Sequence, residues 1–160
     1  MNTKRLTVVL VSIALVMPAV LLAALPAPTG LVVTVDTGAG TVAFDWEDVA
    51  DAAKYSVDVK GTVTYTYLNE LLEEVQGTAE VEVSFGTSDR TDGGDMIDSN
   101  LTITIEDLRA ALATALGILP EDVLSLDPAE AKVKALDPGK GAGAQNNPFS
   151  DPPVPFSVSF

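Results

Sequence analysis

From Leu31 to the last residue, apolar side chains recur at every second position in one stretch after another, the period of a strand that buries a single face. The stretches are Leu31, Val33, Val35; Val42, Phe44, Trp46; Tyr55, Val57, Val59; Val63, Tyr65, Tyr67; Val81, Val83, Phe85; Leu101, Ile103, Ile105; Ala131, Val133, Ala135; and Val154, Phe156, Val158, Phe160. Polar residues occupy most positions between them, so each strand has a wet face and a dry one. Dry faces need a facing sheet to cover them, and about seven such strands predict a mainly β chain folded as an antiparallel sandwich. Gly61 falls between two of the runs and is read as a break.

Three segments depart from this period. Residues 69–76, Asn-Glu-Leu-Leu-Glu-Glu-Val-Gln, read as a short helix with Asn69 as its cap and Gly77 as its stop. Leu108, Ala111, Leu112, Ala115 and Leu116 recur at helical spacing, with Gly117 at the expected end. That stripe packs on a sheet or serves as an interaction face, and packing is the commoner use. Pro120-Glu-Asp122 suits the first turn of a second, shorter helix.

The N-terminus obeys different rules. Lys4 and Arg5 precede an apolar run from Leu6 to Leu25, interrupted by Thr7, Ser12 and Pro18. A helix of that length rises roughly 30 Å, enough to cross a hydrocarbon core. Two readings stand: a signal peptide over residues 1–25, or an uncleaved membrane anchor. The best cleavage position, after Ala24, places the large Leu22 where a small residue is expected. Both readings put residues 26–160 outside the cytoplasm, by export or by the positive-inside rule. Beyond Pro26 the chain carries seven basic and 23 acidic residues, a formal charge of −16. Such a surface repels phosphate backbones and anionic lipid, so nucleic acid is excluded and membrane contact is left to the N-terminal segment.

With the elements in order, three stretches resemble a fibronectin type III domain. Pro26-Ala-Pro-Thr-Gly-Leu31 is similar to the family's proline-rich lead into strand A. Thr41-Val-Ala-Phe-Asp-Trp46 and Lys54-Tyr-Ser-Val57 resemble strand B with its core tryptophan and strand C with its tyrosine. Ala131-Lys-Val-Lys-Ala135, with Asn146, Asn147 and Ser150 in the following loop, resembles strand F and the F–G loop, and residues 154–160 would be strand G. The resemblance implies an immunoglobulin-like sandwich with a helical insertion at about 69–122. It also implies neighbouring C and F strands, with Asp58 facing Lys132 or Lys134 across the sheet. The family's tyrosine corner is missing, because Ala129 stands four residues before Val133. The second helix, near Pro120, is expected to cover that corner instead.

Chemistry-bearing clusters are few. The sequence contains no histidine and no cysteine, which removes the usual general base, thiol nucleophiles, zinc–thiolate sites and disulfides. Asp89, Asp92, Asp95 and Asp98 share one Gly-containing loop. They suit Asx-turns, and as oxygen ligands they suit calcium, but their spacing of three is not that of an EF-hand. Turn chemistry is the preferred reading, and no metal or cofactor is assigned. Glu73, Glu74, Glu80 and Glu82 are read as solvated faces rather than a glycosidase pair. Lys140-Gly-Ala-Gly143 lacks the following Lys-Ser/Thr of a phosphate loop and reads as a flexible tip. The alternating C-terminus ending in Phe160 resembles the last strand of an outer-membrane barrel, but helices and acidic faces elsewhere do not fit a lipid-facing wall. Tyr65 and Tyr67 are expected to point inward.

No catalytic residue is proposed. The expectation is a non-catalytic extracytoplasmic binding or structural module that meets a protein or surface polymer through its loops, the F–G loop first. A filament or matrix subunit that self-associates is the alternative, and a carbohydrate-binding module ranks behind both.

Overall fold

The structure, a computed structural model, describes residues 24–87, 99–137 and 146–160. The export segment up to residue 23, the aspartate loop at 88–98 and the Lys140 tip at 138–145 lie outside the described residues. The described residues form seven strands: β1 (Val32–Asp36), β2 (Thr41–Asp45), β3 (Lys54–Leu68), β4 (Glu74–Gly86), β5 (Asn100–Thr104), β6 (Val123–Leu136) and β7 (Val154–Ser159). Helix α1 (Ile105–Leu116) and a single 3-10 turn (Pro120–Asp122) lie between β5 and β6. One antiparallel sheet has the order β1-β2-β5 and the other β4-β3-β6-β7.

The dry faces predicted from period two meet in one core. Val42 and Phe44 from the smaller sheet, and Trp46 just after β2, are buried with Tyr55, Val57, Val59, Val63, Ala131, Val133 and Ala135 from the larger. Trp46 packs edge-on to Tyr55, with ring centroids 5.0 Å apart, and Phe44 meets Phe156 at 6.2 Å. On the wet side of the larger sheet Asp58 is the direct partner of Lys132, and Lys60 sits between Glu82 and Glu130. This is the expected charge ladder, worth under about 1 kcal/mol per pair.

Unequal strand lengths shape the rest. The three strands of the smaller sheet have five residues each, whereas β3 has 15 and β4 has 13. At about 3.3 Å per residue β3 is ~50 Å long, so the β3–β4 hairpin runs far beyond the sheet that faces it. Helix α1 covers the surplus, burying Leu108, Leu112 and Ala113 in the common core and contacting β4 and β6. Its start is capped by Thr104, whose Oγ1 accepts from Asp107 N–H at 2.9 Å. At its end Gly117 takes a left-handed conformation (φ 70°), and Ile118 N–H returns to Ala113 O at 3.0 Å.

Several expectations need correction. Residues 69–76 are not a helix: Asn69 to Glu73 turn the β3–β4 hairpin and Glu74 begins β4. Gly61 does not end a strand, because β3 runs through it, with a shift of register to β6 between Gly61 and Val63. Among the described residues of the expected insertion at 69–122, only α1 and the 3-10 turn are helical, and the strands β4 and β5 fill much of the remainder. The second helix is a single 3-10 turn. Arg109 ties that turn to α1, donating from Nε to Val123 O (3.0 Å) and from Nη2 to Glu121 O (2.9 Å). This arginine pins the approach to β6.

Tyr55 locks the turn between β2 and β3. Its hydroxyl donates to Asp48 Oδ1 and accepts from Val49 N–H at 2.7 Å. Trp46 Nε1 beside it is buried and finds no acceptor among the described residues. Burial, reinforced by the hydrogen bond to Asp48, pushes the Tyr55 phenol up to about 12 from its ordinary 10.0. An unfolded chain therefore loses this proton near pH 10 while the folded chain keeps it. The stabilisation is complete below pH 10 and disappears as the pH rises towards 12, a loss of roughly 2–3 kcal/mol. Urea melts at pH 8 and pH 11.5 should show it. Tyr55→Phe should lower stability at pH 8 by roughly 1–3 kcal/mol, through loss of both hydrogen bonds, and flatten this part of the alkaline decline.

Candidate interaction surface

The described residues that flank the loops singled out from sequence gather at one pole. Leu25 N–H donates to Asn147 Oδ1 (3.1 Å), and Asn147 Nδ2 donates to Ala135 O (2.9 Å), at the far end of β6. Ser150 N–H bonds Val133 O at 2.7 Å, which holds the returning end of the β6–β7 connection beside β6. Thr87, where the chain enters the aspartate loop, donates from N–H to Tyr55 O, and Ser99, where it leaves, accepts from Trp46 N–H. Among the described residues no group of three acidic side chains is arranged to hold a metal ion. Glu74, Glu80 and Glu82 are exposed along β4 and Glu73 is exposed in the turn, so no two of them face each other across a cleft.

The opposite pole carries the feature that sequence reasoning missed. Val123 pairs with Tyr65, so β3 and β4 continue past the start of β6 as a two-stranded ribbon closed by residues 69–73. Asn69 organises the closure. Its Oδ1 accepts from Leu71 N–H (2.9 Å) and Glu73 N–H (3.0 Å), and its main chain accepts from Leu72 N–H (2.9 Å) and donates to Glu73 O (3.0 Å). Leu72 then adopts φ 61°. A left-handed backbone is disfavoured for a residue with a Cβ, by about 1–2 kcal/mol, and glycine or asparagine normally fills it.

On this ordered loop the apolar side chains face water. Leu68 is 63 % exposed, Leu71 76 %, Leu72 79 %, and Tyr67 47 %. Leu119, also exposed, lies just before the 3-10 turn, which contacts β3 at the same pole. Carboxylates rim the leucines: Glu70, Glu73 and Glu74 on the hairpin, with Glu121 and Asp122 on the 3-10 turn. Between Gly61 and Thr87 the chain has no basic residue.

The tyrosines only partly follow expectation. Tyr65 packs against the core cluster, whereas Tyr67 emerges beyond it, and the two rings lie 5.9 Å apart at a 42° tilt. Tyr65 stands opposite Gly77, so Gly77 is a strand residue that leaves room for a ring, not a helix stop.

On the wet face of the larger sheet two shallow depressions adjoin the charge ladder. One is lined by Lys60, Thr62, Pro128 and Pro155, the other by Asp58, Lys60, Glu130, Lys132 and Phe149. Lys134 Nζ lies 4.7 Å from the centre of the Phe149 ring. Signs alternate across this face, so it has no directed field. Among the described residues no helix is long and apolar enough to cross a membrane. Compared with family models, curated proteins and solved structures, the chain matches none.

Proposed function

We propose that this chain is an extracytoplasmic, non-catalytic module of fibronectin type III type that holds the tip of its β3–β4 hairpin out for contact with another protein. The strand orders β1-β2-β5 and β4-β3-β6-β7 support the family reading, since they match strands A-B-E and C′-C-F-G of such a domain, with Trp46 and Tyr55 together in the core. The observation that carries the function is Leu72. It is an apolar side chain left in water on a backbone conformation that disfavours it, within a loop tied together by hydrogen bonds to and from Asn69. Exposed apolar clusters that cost stability mark interaction sites. A chain without histidine or cysteine supports the non-catalytic part. The tilt between Tyr65 and Tyr67 makes no flat platform for a sugar ring, which keeps carbohydrate behind protein as the ligand.

Export and contact are tested separately. Intact mass of the protein from medium and membrane fractions reads the fate of residues 1–25, and a full-length form confined to the cytosol would refute the extracytoplasmic placement. For contact, a photo-crosslinking side chain at Leu71 should give a discrete protein adduct in the cells that export the chain, and the same group at Lys132 or Thr37 should not. Equal adducts from all three positions, or none from Leu71, would remove the tip from the proposal. An adduct of twice the subunit mass would move it to the self-assembling alternative.

A further inference from the structure

We infer that the occupant of the hairpin tip is a protein surface with an apolar groove rimmed by lysine or arginine, met at the pole opposite Leu25. The inference rests on the display reading above and adds the chemistry of the partner. Leu68, Leu71 and Leu72 require an apolar seat, and Glu70, Glu73 and Glu74 stand immediately around them. A seated carboxylate ring without cationic partners would be desolvated at a loss, so the complementary rim is basic.

Two other occupants fit less well. A second copy brings the same formal charge of −16 over residues 26–160. Its lysines at 60 and 132 are interleaved with Asp58, Glu82 and Glu130, so its sheet face offers no basic-rimmed groove. A bilayer is disfavoured by the carboxylates, and also by position. Leu25, where an N-terminal anchor would join the domain, is bound at the Ala135 end of β6, whereas the tip lies beyond the Val123 end. About 45 Å of sheet separates the two ends of that strand.

The probe is a synthetic amphipathic helical peptide with leucine on one face and lysine on the other, titrated into the folded domain and followed by amide chemical shifts. A leucine/glutamate peptide of equal length is the control. The lysine peptide should shift amides of residues 67–74 and 119–122. Replacing Glu70, Glu73 and Glu74 together by Gln should weaken binding about tenfold or more at low salt. Glu80→Gln with Glu82→Gln removes charge from the same strand outside the tip and should change binding less than about twofold. Leu71→Ser with Leu72→Ser should also weaken binding about tenfold. Shifts spread over the whole acidic surface, equal losses in the two Gln variants, or equal binding of the glutamate peptide would overturn the basic-rim assignment. So would binding of the tip to neutral phosphatidylcholine vesicles in preference to the peptide. These outcomes leave the Leu71 crosslinking result untouched, so a wrong partner chemistry is distinguishable from a tip that contacts nothing.

Discussion

Leu112→Ala should destabilise the domain by roughly 2–5 kcal/mol, the range for deleting a fully buried leucine side chain and leaving a cavity. Leu108→Ala should behave alike, because both leucines are completely buried where α1 meets the outer half of the larger sheet. The size follows from what the helix replaces. Strands of five residues face strands of 13 and 15, so the surplus inner face of the β3–β4 hairpin has no sheet above it. A two-stranded ribbon without a covering layer is marginal in water. Helix α1 is therefore the second layer of that half. A urea melt reads the global loss, and amide exchange adds a local signature. Protection at Val63–Leu68 and Gln76–Val81 should fall further than at Val57 and Val133, which lie under the smaller sheet. Ala115→Ser, on the exposed side of the same helix, should stay within about 0.5 kcal/mol. If Leu112→Ala also proved that mild, α1 would be an appendage instead of a layer.

How far the strands could be read from sequence depended on whether one face was buried. Val42, Phe44 and Trp46, or Tyr55, Val57 and Val59, alternate with polar residues because a facing sheet takes one side and water the other, and their burial follows the pattern. That Asp58 meets Lys132 or Lys134 follows only from the resemblance, which makes the two strands neighbours, and the register selects Lys132. Helix α1 announced itself through spacing and through Gly117, whose left-handed conformation ends it.

The hairpin tip was illegible because its first residues carry helix signals honestly. Asn69 followed by Glu, Leu, Leu and Glu combines a good cap with strong helix formers. Asn69 even accepts from Leu71 N–H, as a cap does. The paths diverge at Leu72, whose positive φ turns the chain back so that Glu73 bonds Asn69 and Glu74 faces Leu68. Nothing in a leucine advertises that conformation. Pairing along 13 residues of β4 outweighs a propensity worth a few tenths of a kcal/mol per residue. The functional reading moved with it. Loop composition points to the Asp89 and Lys140 segments, whereas Leu68, Leu71 and Leu72 stand exposed at the β3–β4 turn, within a segment of ordinary composition.

Three glycines of the larger sheet form a graded test of how closely this sheet is built. At Gly61 an added Cβ would lie 2.5 Å from Pro128 O, 2.9 Å from Ala129 Cα and 2.9 Å from Leu126 Cδ1. Two of those three atoms are backbone, and the site coincides with the register shift between β3 and β6, where Leu126 and Ala129 also step out of register with β7. Relief would require the two longest strands, β3 and β6, to separate locally. Gly61→Ala should therefore cost about 3 kcal/mol, at the upper end for overpacking, and Gly61→Val more. At Gly77 the nearest atoms are Tyr65 Cζ and Oη, 3.0 and 3.1 Å away, at the end of a side chain that can swing. Gly77→Ala should cost about 1 kcal/mol and leave the fold intact. At Gly86 the nearest atom is Tyr55 O at 3.9 Å, an ordinary contact, and alanine there should be neutral or stabilise by up to about 1 kcal/mol through the less flexible unfolded chain. Urea midpoints of the three alanine variants should rank Gly86 above Gly77 above Gly61. Gly61→Ala as stable as Gly86→Ala would mean that β3 and β6 do not approach as closely as the bulge requires, and the continuity of β3 from the core to the tip would fall with it.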